Sequence, residues 1–375
     1  MNAETWLAAA DLPHFRRALL RWYRKHGRDL PWRESSSAYH VWVSEVMLQQ
    51  TTVATVERRF HEFLSRFPDI DSLACASEAD VLHAWQGLGY YRRARFLHQA
   101  AKRILEEHDG VMPSDPKTIR ALPGLGRYTA NAIASFAFGA RVPILEANTL
   151  RVWSRICAMR GDPTKPPVSN DLWHVAEEAL PRKEPGDFNQ ALMDLGATIC
   201  TPREASCDRC PVSTHCRAHE EGLVERFPEL PEKRAQENVD HVSVVIWHHR
   251  KVLISKRPET GPWANLWEFP RVERTDAENW TDAAWRAIRT YCAGQATLGA
   301  ERKAIRHGIM HYRVHLKCFD VLLNEGTRLP DESTRWVEPE ALTKLPFSSP
   351  QRRLVASVQE SPSFQGTLLD ESRKR

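Results

Sequence analysis

Apolar positions in the first two thirds of the chain recur at the spacing of amphipathic helices. In residues 52–67 (TVATVERRFHEFLSRF) the apolar side chains lie mostly three or four positions apart, on one face of a helix. Residues 78–108 predict two helices separated by a pair of glycines. The sequence shows no strand-like alternation before about residue 240, so it predicts a helical region over about 12–220.

The pattern changes after a polar, proline-containing segment at 226–239, which is typical of a linker. Residues 241–257 (HVSVVIWHHRKVLISKR) predict two short strands around a turn, and a later segment, YRVHLKCFDVLL, alternates as a half-buried strand does. A helical pattern lies between them. The sequence therefore predicts a mainly α domain over 1–225 and an α+β domain over 240–350, followed by a disordered tail over 351–375.

The distribution of charge is more informative than its total. The 375-residue chain is long enough for two domains, and its net charge of +4 permits nucleic-acid binding without demanding it. Basic side chains crowd into two groups, which form either a solvated helix face or a surface that contacts phosphates. The groups are Arg16, Arg17, Arg21, Arg24, Lys25, Arg28 and Arg33, and Arg92, Arg93, Arg95, Lys102 and Arg103.

The chain shows no sequence signal for export or for a membrane. The N-terminal residues MNAETWLAAADLPHF lack the basic start and apolar core of a signal peptide. The most apolar stretch, NAIASFAFGARVPIL, is short and contains Arg141. We expect a cytoplasmic protein with no membrane contact, associated with the nucleoid if its source is bacterial.

Half of the eight cysteines lie within one short segment, CTPREASCDRCPVSTHC. Their spacings of six, two and five residues provide four thiolates, a ligand set that suits zinc or a [4Fe–4S] cluster. The remaining cysteines are scattered and are expected to be small buried hydrophobes. The clustered residues are Cys200, Cys207, Cys210 and Cys216, and the scattered ones are Cys75, Cys157, Cys292 and Cys318.

A glycine-containing turn precedes an apolar helical pattern at residues 122–137 (LPGLGRYTANAIASFA). Backbone N–H groups at a helix start bind phosphate, and glycines let a phosphate approach the backbone closely. The segment is therefore either a helix–hairpin–helix contact to the DNA backbone, which positions DNA without reading sequence, or a plain interhelical turn.

A single carboxylate, Glu45, lies in the apolar helical segment YHVWVSEVMLQQTT. Burial disfavours the charged form of a carboxyl group, so its pKa should rise. That suits a general acid near neutral pH, although a buried Glu satisfied by a capping or salt-bridge partner fits the same pattern.

These three motifs, in this order, resemble the endonuclease III superfamily of helix–hairpin–helix DNA glycosylases, and within it the adenine-excising family. The resemblance covers about residues 12–225 and is strengthened by SEVMLQQT and GLGYYRRAR. It implies a hairpin at about 118–137 and a [4Fe–4S] cluster, rather than zinc, in a loop over 200–216. A second resemblance covers about 240–350, where KRPETGPWANLWEFP is similar to the start of a Nudix-like domain that recognises 8-oxoguanine.

The resemblance implies a reaction on duplex DNA. Such enzymes excise adenine mispaired with 8-oxoguanine or guanine, and the adenine must leave the base stack to be reached. Glu45 would protonate the adenine at N7, and a second carboxylate would stabilise the oxocarbenium-like sugar. The family has an Asp for the second role, and this chain has Glu146 there. Asn148 matches the Asn beside that acid, and it also suits the N-cap of a helix over 149–159.

The resemblance also implies that strand cleavage is absent. Tyr128 occupies the position where bifunctional relatives have a Schiff-base lysine, so the lyase route lacks its amine. We therefore expect a mainly monofunctional, monomeric glycosylase that leaves an abasic site.

Further residues match family positions that contact DNA. Tyr90 is also compatible with a packed core, because GLGYY precedes a helix. By resemblance, the adenine pocket contains Arg28, Leu30, Trp32, Arg33 and Gln190; the duplex wedge contains Leu48, Gln50 and Tyr90; and the DNA-backbone contact contains Gly124, Gly126 and Arg127.

The sequence departs from the family pattern at two places. The family's Asp-Gly-Asn is Glu146-Ala147-Asn148, and an uncompensated carboxylate shift of about 1 Å costs about 100-fold in rate. The family's Phe-Ser-His, which contacts 8-oxoguanine, is Ile309-Met310-His311, so only the His can keep a polar contact. The strength of discrimination between 8-oxoguanine and guanine therefore stays open.

Other functions fit parts of the sequence. One alternative is a mismatch thymine or oxidised-pyrimidine glycosylase of the same superfamily, and another is a non-catalytic iron–sulfur DNA-binding module. Nucleotide hydrolysis by the second domain is disfavoured, because its helix WTDAAWRAIRTYCAG lacks the Glu-rich set that holds Mg²⁺ in Nudix hydrolases.

Overall fold

A computed structural model describes residues 3–35, 37–232, 235–261, 263–324 and 333–360. The chain forms two compact units. The first contains Met1–Cys75 and Phe96–Glu232, and the second contains Ala76–Arg95 and Lys233–Arg375. None of the helices in the described ranges is both long and apolar enough to cross a membrane.

The first unit is helical, as predicted. Short 3₁₀ turns lie at Pro31–Arg33, Cys207–Arg209, Ser213–His215 and Val224–Arg226. The helices of this unit are α1 (Ala3–Ala9), α2 (Leu12–His26), α3 (Ala38–Leu48), α4 (Val53–Arg66), α5 (Ile70–Cys75), α7 (Arg92–His108), α8 (Pro116–Ala121), α9 (Arg127–Phe138), α10 (Ala147–Ile156), α11 (Val168–Ala179), α12 (Pro185–Thr198) and α13 (Arg217–Glu220). Helix α6 (Glu78–Ala84) and the first turn of α7 belong to the second unit.

Aromatic side chains form much of the core of the helical unit. Phe15 of α2 is fully buried, and its ring lies 5.7 Å from that of Trp153 and 6.1 Å from that of Phe188. These contacts hold α2, α10 and α12 together, and α10 and α12 both contribute residues to the cleft described below. Aromatic packing of this kind supplies large buried areas in defined orientations.

The second unit contains a seven-stranded sheet with the order β3-β2-β1-β6-β5, in which β4 also pairs with β1 and β7 with β2. Strands β1 and β6 are parallel, and the other pairs are antiparallel. The strands are β1 (Glu237–His248), β2 (Lys251–Lys256), β3 (Trp267–Glu268), β4 (Arg271–Glu273), β5 (Ala296–Ile309), β6 (Tyr312–Leu323) and β7 (Thr334–Val337).

One helix covers each face of the sheet, because β1 alternates apolar side chains on both faces. Helix α14 (Trp280–Tyr291) packs with Val242, Val244 and Ile246, whereas α15 (Ser349–Glu360) packs with the set that includes Val245. The hairpin predicted at 241–257 is confirmed. The predicted disordered tail begins too early: residues 351–360 belong to α15, where Leu354, Val355 and Val358 are buried, and 361–375 lie outside the described residues.

The segment Ala76–Arg95 packs with the sheet unit, although it lies inside the predicted helical domain. The hydroxyl of Tyr91 donates to the carbonyl of Phe347 at 3.0 Å, and the side-chain amide of Gln86 donates to the carbonyl of Leu345 at 2.9 Å. Sequence periodicity gives no information on such partners, because they are about 260 residues away.

Candidate active site

The predicted catalytic and adenine-pocket residues converge on one large cleft in the helical unit. The cleft lies among the Pro31–Arg33 turn, α3, α9, the start of α10, and α12. Two predicted wedge residues, Leu48 and Gln50, lie at it as well. The predicted residues that line the cleft are Arg28, Leu30, Trp32, Arg33, Glu45, Leu48, Gln50, Tyr128, Glu146, Asn148 and Gln190.

Glu45 is the buried carboxylate of α3. Its side chain accepts a 2.6 Å hydrogen bond from the hydroxyl of Tyr128 on α9, and the residue is only 4% exposed. Burial is the main cause that raises the pKa of Glu45 to about 7; the nearby Glu146 raises it too, whereas Tyr128 and Arg33 oppose the rise. The predicted rise is therefore confirmed, and Glu45 exchanges a proton near neutral pH.

Glu146 caps the N-terminus of α10. One carboxylate oxygen accepts from the backbone N–H of Thr149 and the other from that of Asn148, both at 2.9 Å. Burial raises the pKa of Glu146, and these two hydrogen bonds and Arg151 partly offset the rise. The helix dipole also favours an anion at this end. The N-cap is therefore Glu146 rather than Asn148, which lies inside the helix and donates its side-chain amide to Glu146 at 3.3 Å.

The cap of α10 reverses the usual capping box. In the common form a Ser or Thr at the N-cap pairs with a Glu three residues later. Here Glu146 occupies the N-cap, and the hydroxyl of Thr149 accepts from the N–H of Glu146 at 2.9 Å. Thr149 was not among the predicted site residues, although an acid followed three residues later by a hydroxyl residue indicates such a cap.

A buried carboxylate beneath the cleft was also missed. Asp194 on α12 has a fully buried side chain and accepts hydrogen bonds from the guanidinium groups of Arg28 and Arg33 at 2.7–2.9 Å. These arginines hold the pKa of Asp194 below its usual value despite its burial. Because a bidentate pair fixes the guanidinium plane, Asp194 orients both arginines at the cleft. The signal was an Asp within the apolar run ALMDLGA.

Helix α12 approaches the start of α10 closely at Gly196. A Cβ at Gly196 would lie 2.7 Å from the Cβ of Asn148, and Arg151 donates to the Gly196 carbonyl at 2.6 Å. Only a glycine permits this distance, so Gly196 sets the position of Asn148.

The predicted hairpin lies between α8 and α9. Gly124 has a φ of +76°, and a Cβ there would come 2.5 Å from the Cβ of Phe96, so the fold itself requires this glycine. Gly126 has no heavy atom within 4 Å of a built Cβ, and it is the N-cap of α9. Its backbone is therefore open to a ligand. The guanidinium of Arg127 stacks 3.8 Å from the ring centre of Trp173, and its predicted contact with the DNA backbone stays a prediction.

Two predicted wedge residues have left-handed backbones. Gln50 has a φ of +57° immediately after α3. Tyr90, in the second unit, has a φ of +46° and is 54% exposed, so the alternative of a packed core residue is wrong. Positive φ in a non-glycine residue is strained, and such residues cluster at functional sites.

The four clustered cysteines line one cavity beside α10, with Ile156 and Leu195 among its apolar neighbours. Burial raises the pKa of Cys210 to about 12 and that of Cys216 to about 11, and the neighbouring thiols add to both rises. A guanidinium nitrogen of Arg155 donates to the sulfur of Cys200 at 3.3 Å. Four sulfur donors on one cavity fit an iron–sulfur or zinc group, which would stabilise the thiolate forms. Of the other four cysteines, three are buried as predicted, but Cys75 is exposed.

The tip of the β5–β6 hairpin contains Ile309, Met310 and His311. Ile309 pairs with Tyr312, which leaves Met310 and His311 as a two-residue turn with Met310 at a φ of +54°. Met310 is 73% exposed, and the imidazole of His311 lies beside the ring of Tyr312. The predicted recognition residues therefore lie at an exposed turn, away from the cleft residues in sequence and in a different unit.

Both units match known protein families. Residues 43–178 match the HhH-GPD superfamily of base excision DNA repair proteins, and residues 241–357 match the NUDIX domain. A solved structure of a thermostable thymine-DNA glycosylase is 28% identical in sequence to this chain and superposes with a TM-score of 0.52. The match covers 56% of this chain and 97% of the chain in that structure.

Relatives extend over nearly the whole chain. The adenine DNA glycosylase of Rattus norvegicus is 34% identical over 94% of this chain and 79% of its own length. That of Homo sapiens is 38% identical over 98% of this chain and 77% of its own length. The predicted fold class, a helix–hairpin–helix glycosylase with a Nudix-like α+β domain, is confirmed. The chain therefore belongs to the adenine DNA glycosylase family and is a base-excision repair glycosylase.

Proposed function

We propose that this protein removes adenine mispaired with 8-oxoguanine or guanine from double-stranded DNA, by hydrolysis of the N-glycosidic bond and without strand cleavage. The main support is the pair of carboxylates that line one cleft: Glu45 is buried and has a pKa near 7, whereas Glu146 is held by two backbone N–H groups. Such a pair separates the roles of acid and anion.

Glu45 acts as the general acid. The flipped adenine enters the cleft, and Glu45 transfers its proton to N7, so that the bond between C1′ and N9 breaks and its electron pair goes to the base. The sugar is left with oxocarbenium character. Glu146, held at the helix N-terminus, stabilises that cation until water adds at C1′ and gives a proton to the Glu45 carboxylate, which restores the acid form of Glu45.

Tyr128 limits the reaction to hydrolysis. A lyase reaction needs an amine that attacks C1′, and Tyr128 has only a phenol, whose hydroxyl donates a hydrogen bond to Glu45. The abasic site is therefore the product, with no strand break.

The remaining cleft residues bind DNA. Arg28 and Arg33, oriented by Asp194, line the adenine pocket with Leu30, Trp32 and Gln190. The wedge into the duplex contains Leu48, Gln50 and Tyr90, and phosphates contact the backbone at Gly124, Gly126 and Arg127.

The protein acts as a monomer in the cytoplasm, or at the nucleoid if its source is bacterial.

The cysteine loop holds a [4Fe–4S] cluster, with Cys200, Cys207, Cys210 and Cys216 as ligands. The four thiols line one cavity beside α10, and a tetrathiolate set suits either zinc or an iron–sulfur cluster. The support for the cluster is the spacing of six, two and five residues, which resembles the cluster loop of the endonuclease III superfamily. The cluster would stabilise the loop that packs against α10.

His311 supplies the polar contact to 8-oxoguanine at the β5–β6 turn. Met310 beside it adds exposed apolar surface but no hydrogen bond. We expect the preference for 8-oxoguanine over guanine to be weaker than a Ser-containing turn would give.

One assay tests the proposed function and its nearest alternative, thymine excision, which the solved thymine-DNA glycosylase relative suggests. The protein is incubated with duplexes that contain A opposite 8-oxoguanine, G or C, and T opposite G, and each sample is analysed with and without alkali. Adenine release that needs alkali for strand cleavage is expected. Release of T alone would favour the alternative, and cleavage before alkali would contradict the monofunctional assignment.

A further inference from the structure

The extra methylene of Glu146, relative to the family's Asp, raises the question of how its carboxylate is held in place. We propose that Thr149 is the positioning residue for Glu146, and that the two side chains form one unit that accommodates a Glu at this site. This inference rests on the proposed function, because it assigns a cause to the position of the second carboxylate.

The two residues are joined in three ways. The N–H of Glu146 donates to the Thr149 hydroxyl at 2.9 Å, and that hydroxyl donates to the Glu146 carbonyl at 3.3 Å. The N–H of Thr149 donates to one Glu146 carboxylate oxygen at 2.9 Å. Thr149 is completely buried, so water cannot replace its hydroxyl.

The hydroxyl therefore fixes the backbone from which the carboxylate extends. Glu is not a favoured N-cap residue, since its longer side chain has one more torsion to fix than that of Asp. The reversed capping box removes this freedom: the Thr149 hydroxyl holds the Glu146 backbone, and the helix N–H groups hold both carboxylate oxygens. Without the hydroxyl, the N–H of Glu146 loses this acceptor and the cap can shift.

Several groups share the electrostatic environment of Glu146. Glu45 of α3 and Tyr128 of α9 interact electrostatically with Glu146, and Arg151 is a cation on the same helix as Glu146. Arg33 of the 3₁₀ turn lowers the pKa values of Glu45 and Tyr128. The backbone hydrogen bonds of the cap favour the ionised form of Glu146. A loosened cap should therefore raise its pKa and move the acid limb of the rate profile to higher pH.

The test compares Thr149→Val, which keeps the side-chain shape and removes the hydroxyl, with Thr149→Ser, which restores it. Ser154→Ala is the matched control, because Ser154 is also fully buried on α10 and its hydroxyl has no hydrogen-bond partner among the described residues. Each variant is measured for single-turnover excision of adenine opposite 8-oxoguanine or guanine, for Kd of the same DNA, for Tm, and for the pH dependence of the rate.

Thr149→Val should lower the single-turnover rate about 10-fold to 100-fold, as a carboxylate displaced by up to about 1 Å requires. Its acid limb should move to higher pH, while Kd stays unchanged. Thr149→Ser and Ser154→Ala should keep wild-type rates and profiles.

Three results would overturn the inference. One is a Thr149→Val rate equal to wild type. Another is a Thr149→Ser rate as low as that of Thr149→Val, since the hydroxyl would then be irrelevant. The third is a loss of rate and Tm with an unmoved acid limb, which would indicate a purely structural role. A wild-type protein that releases no adenine would instead reject the proposed function, and the inference with it.

Discussion

Glu45 and Glu146 are the same residue type and line the same cleft, but their surroundings differ. Glu45 lies within α3, whereas Glu146 lies at the N-terminus of α10, and the hydrogen-bond donors at these two positions are different. In the described part of the chain, the side chain of Glu45 accepts one hydrogen bond, from the Tyr128 hydroxyl, and burial is the main influence on the pKa of Glu45. Around Glu146 there are two backbone N–H groups and the amide of Asn148. A helix interior has no free N–H groups, whereas a helix N-terminus exposes several. Position within a helix therefore decides how many N–H groups are available to stabilise the ionised form of each carboxyl group.

The largest expected effect follows from removing the proton donor. Glu45→Gln should reduce adenine excision about 1,000-fold, because general acid catalysis contributes about 100-fold to 10,000-fold. The amide keeps the shape of the carboxyl group, so DNA affinity should persist. Single-turnover kinetics and a binding isotherm on the same mismatched duplex provide the measurement. Full activity in this variant would remove Glu45 from the mechanism.

Substitution of Glu146, the proposed anion, should reduce the excision rate by a smaller factor. Glu146→Gln should lower the rate about 100-fold, since it removes one preorganised charge from the developing cation. Glu146→Asp should lose less than this, because the charge remains but its distance from the Thr149 hydroxyl and the sugar changes. A Gln variant with wild-type kinetics would reduce Glu146 to a capping residue.

The pH dependence of excision should separate the two groups. Glu45 must be protonated, so activity falls as pH rises through about 7. Glu146 must be ionised, so activity is lost as pH falls through its pKa, which lies above the ordinary value of 4.5. The rate should therefore pass through a maximum between an acid limb and an alkaline limb, with apparent pKa values that belong to the pair. A rate still rising above pH 8 would contradict the assignment of Glu45 as the acid.

The contrast between the two carboxylates was only partly predictable. Glu45 was predicted as a site residue because an acid within an apolar helical segment is conspicuous. The position of Glu146 just before a helix was predicted from its match to the family motif. The N-cap was misplaced by two residues because Asn is intrinsically a better cap than Glu, and the partnership with Thr149 outweighed that preference. Asp194 was missed because its arginine partners lie more than 160 residues away, and periodicity contains no information on long-range charge pairs.

The smallest predicted effect sharpens the comparison most directly, because the Tyr128→Phe variant removes only the hydrogen bond from Tyr128 to Glu45. Tyr128→Phe removes the hydrogen bond that favours the ionised form of Glu45, so the pKa of Glu45 should rise further. The alkaline limb of the rate profile should then move to higher pH, since the acid stays protonated longer. One hydrogen bond contributes about 1 kcal/mol net, so the rate at the optimum should change by roughly fivefold or less. The acid limb, which depends on Glu146, should move much less. An alkaline limb that moves to lower pH would show that the phenol stabilises the protonated form of Glu45, and Tyr128 would then be part of the proton donor itself.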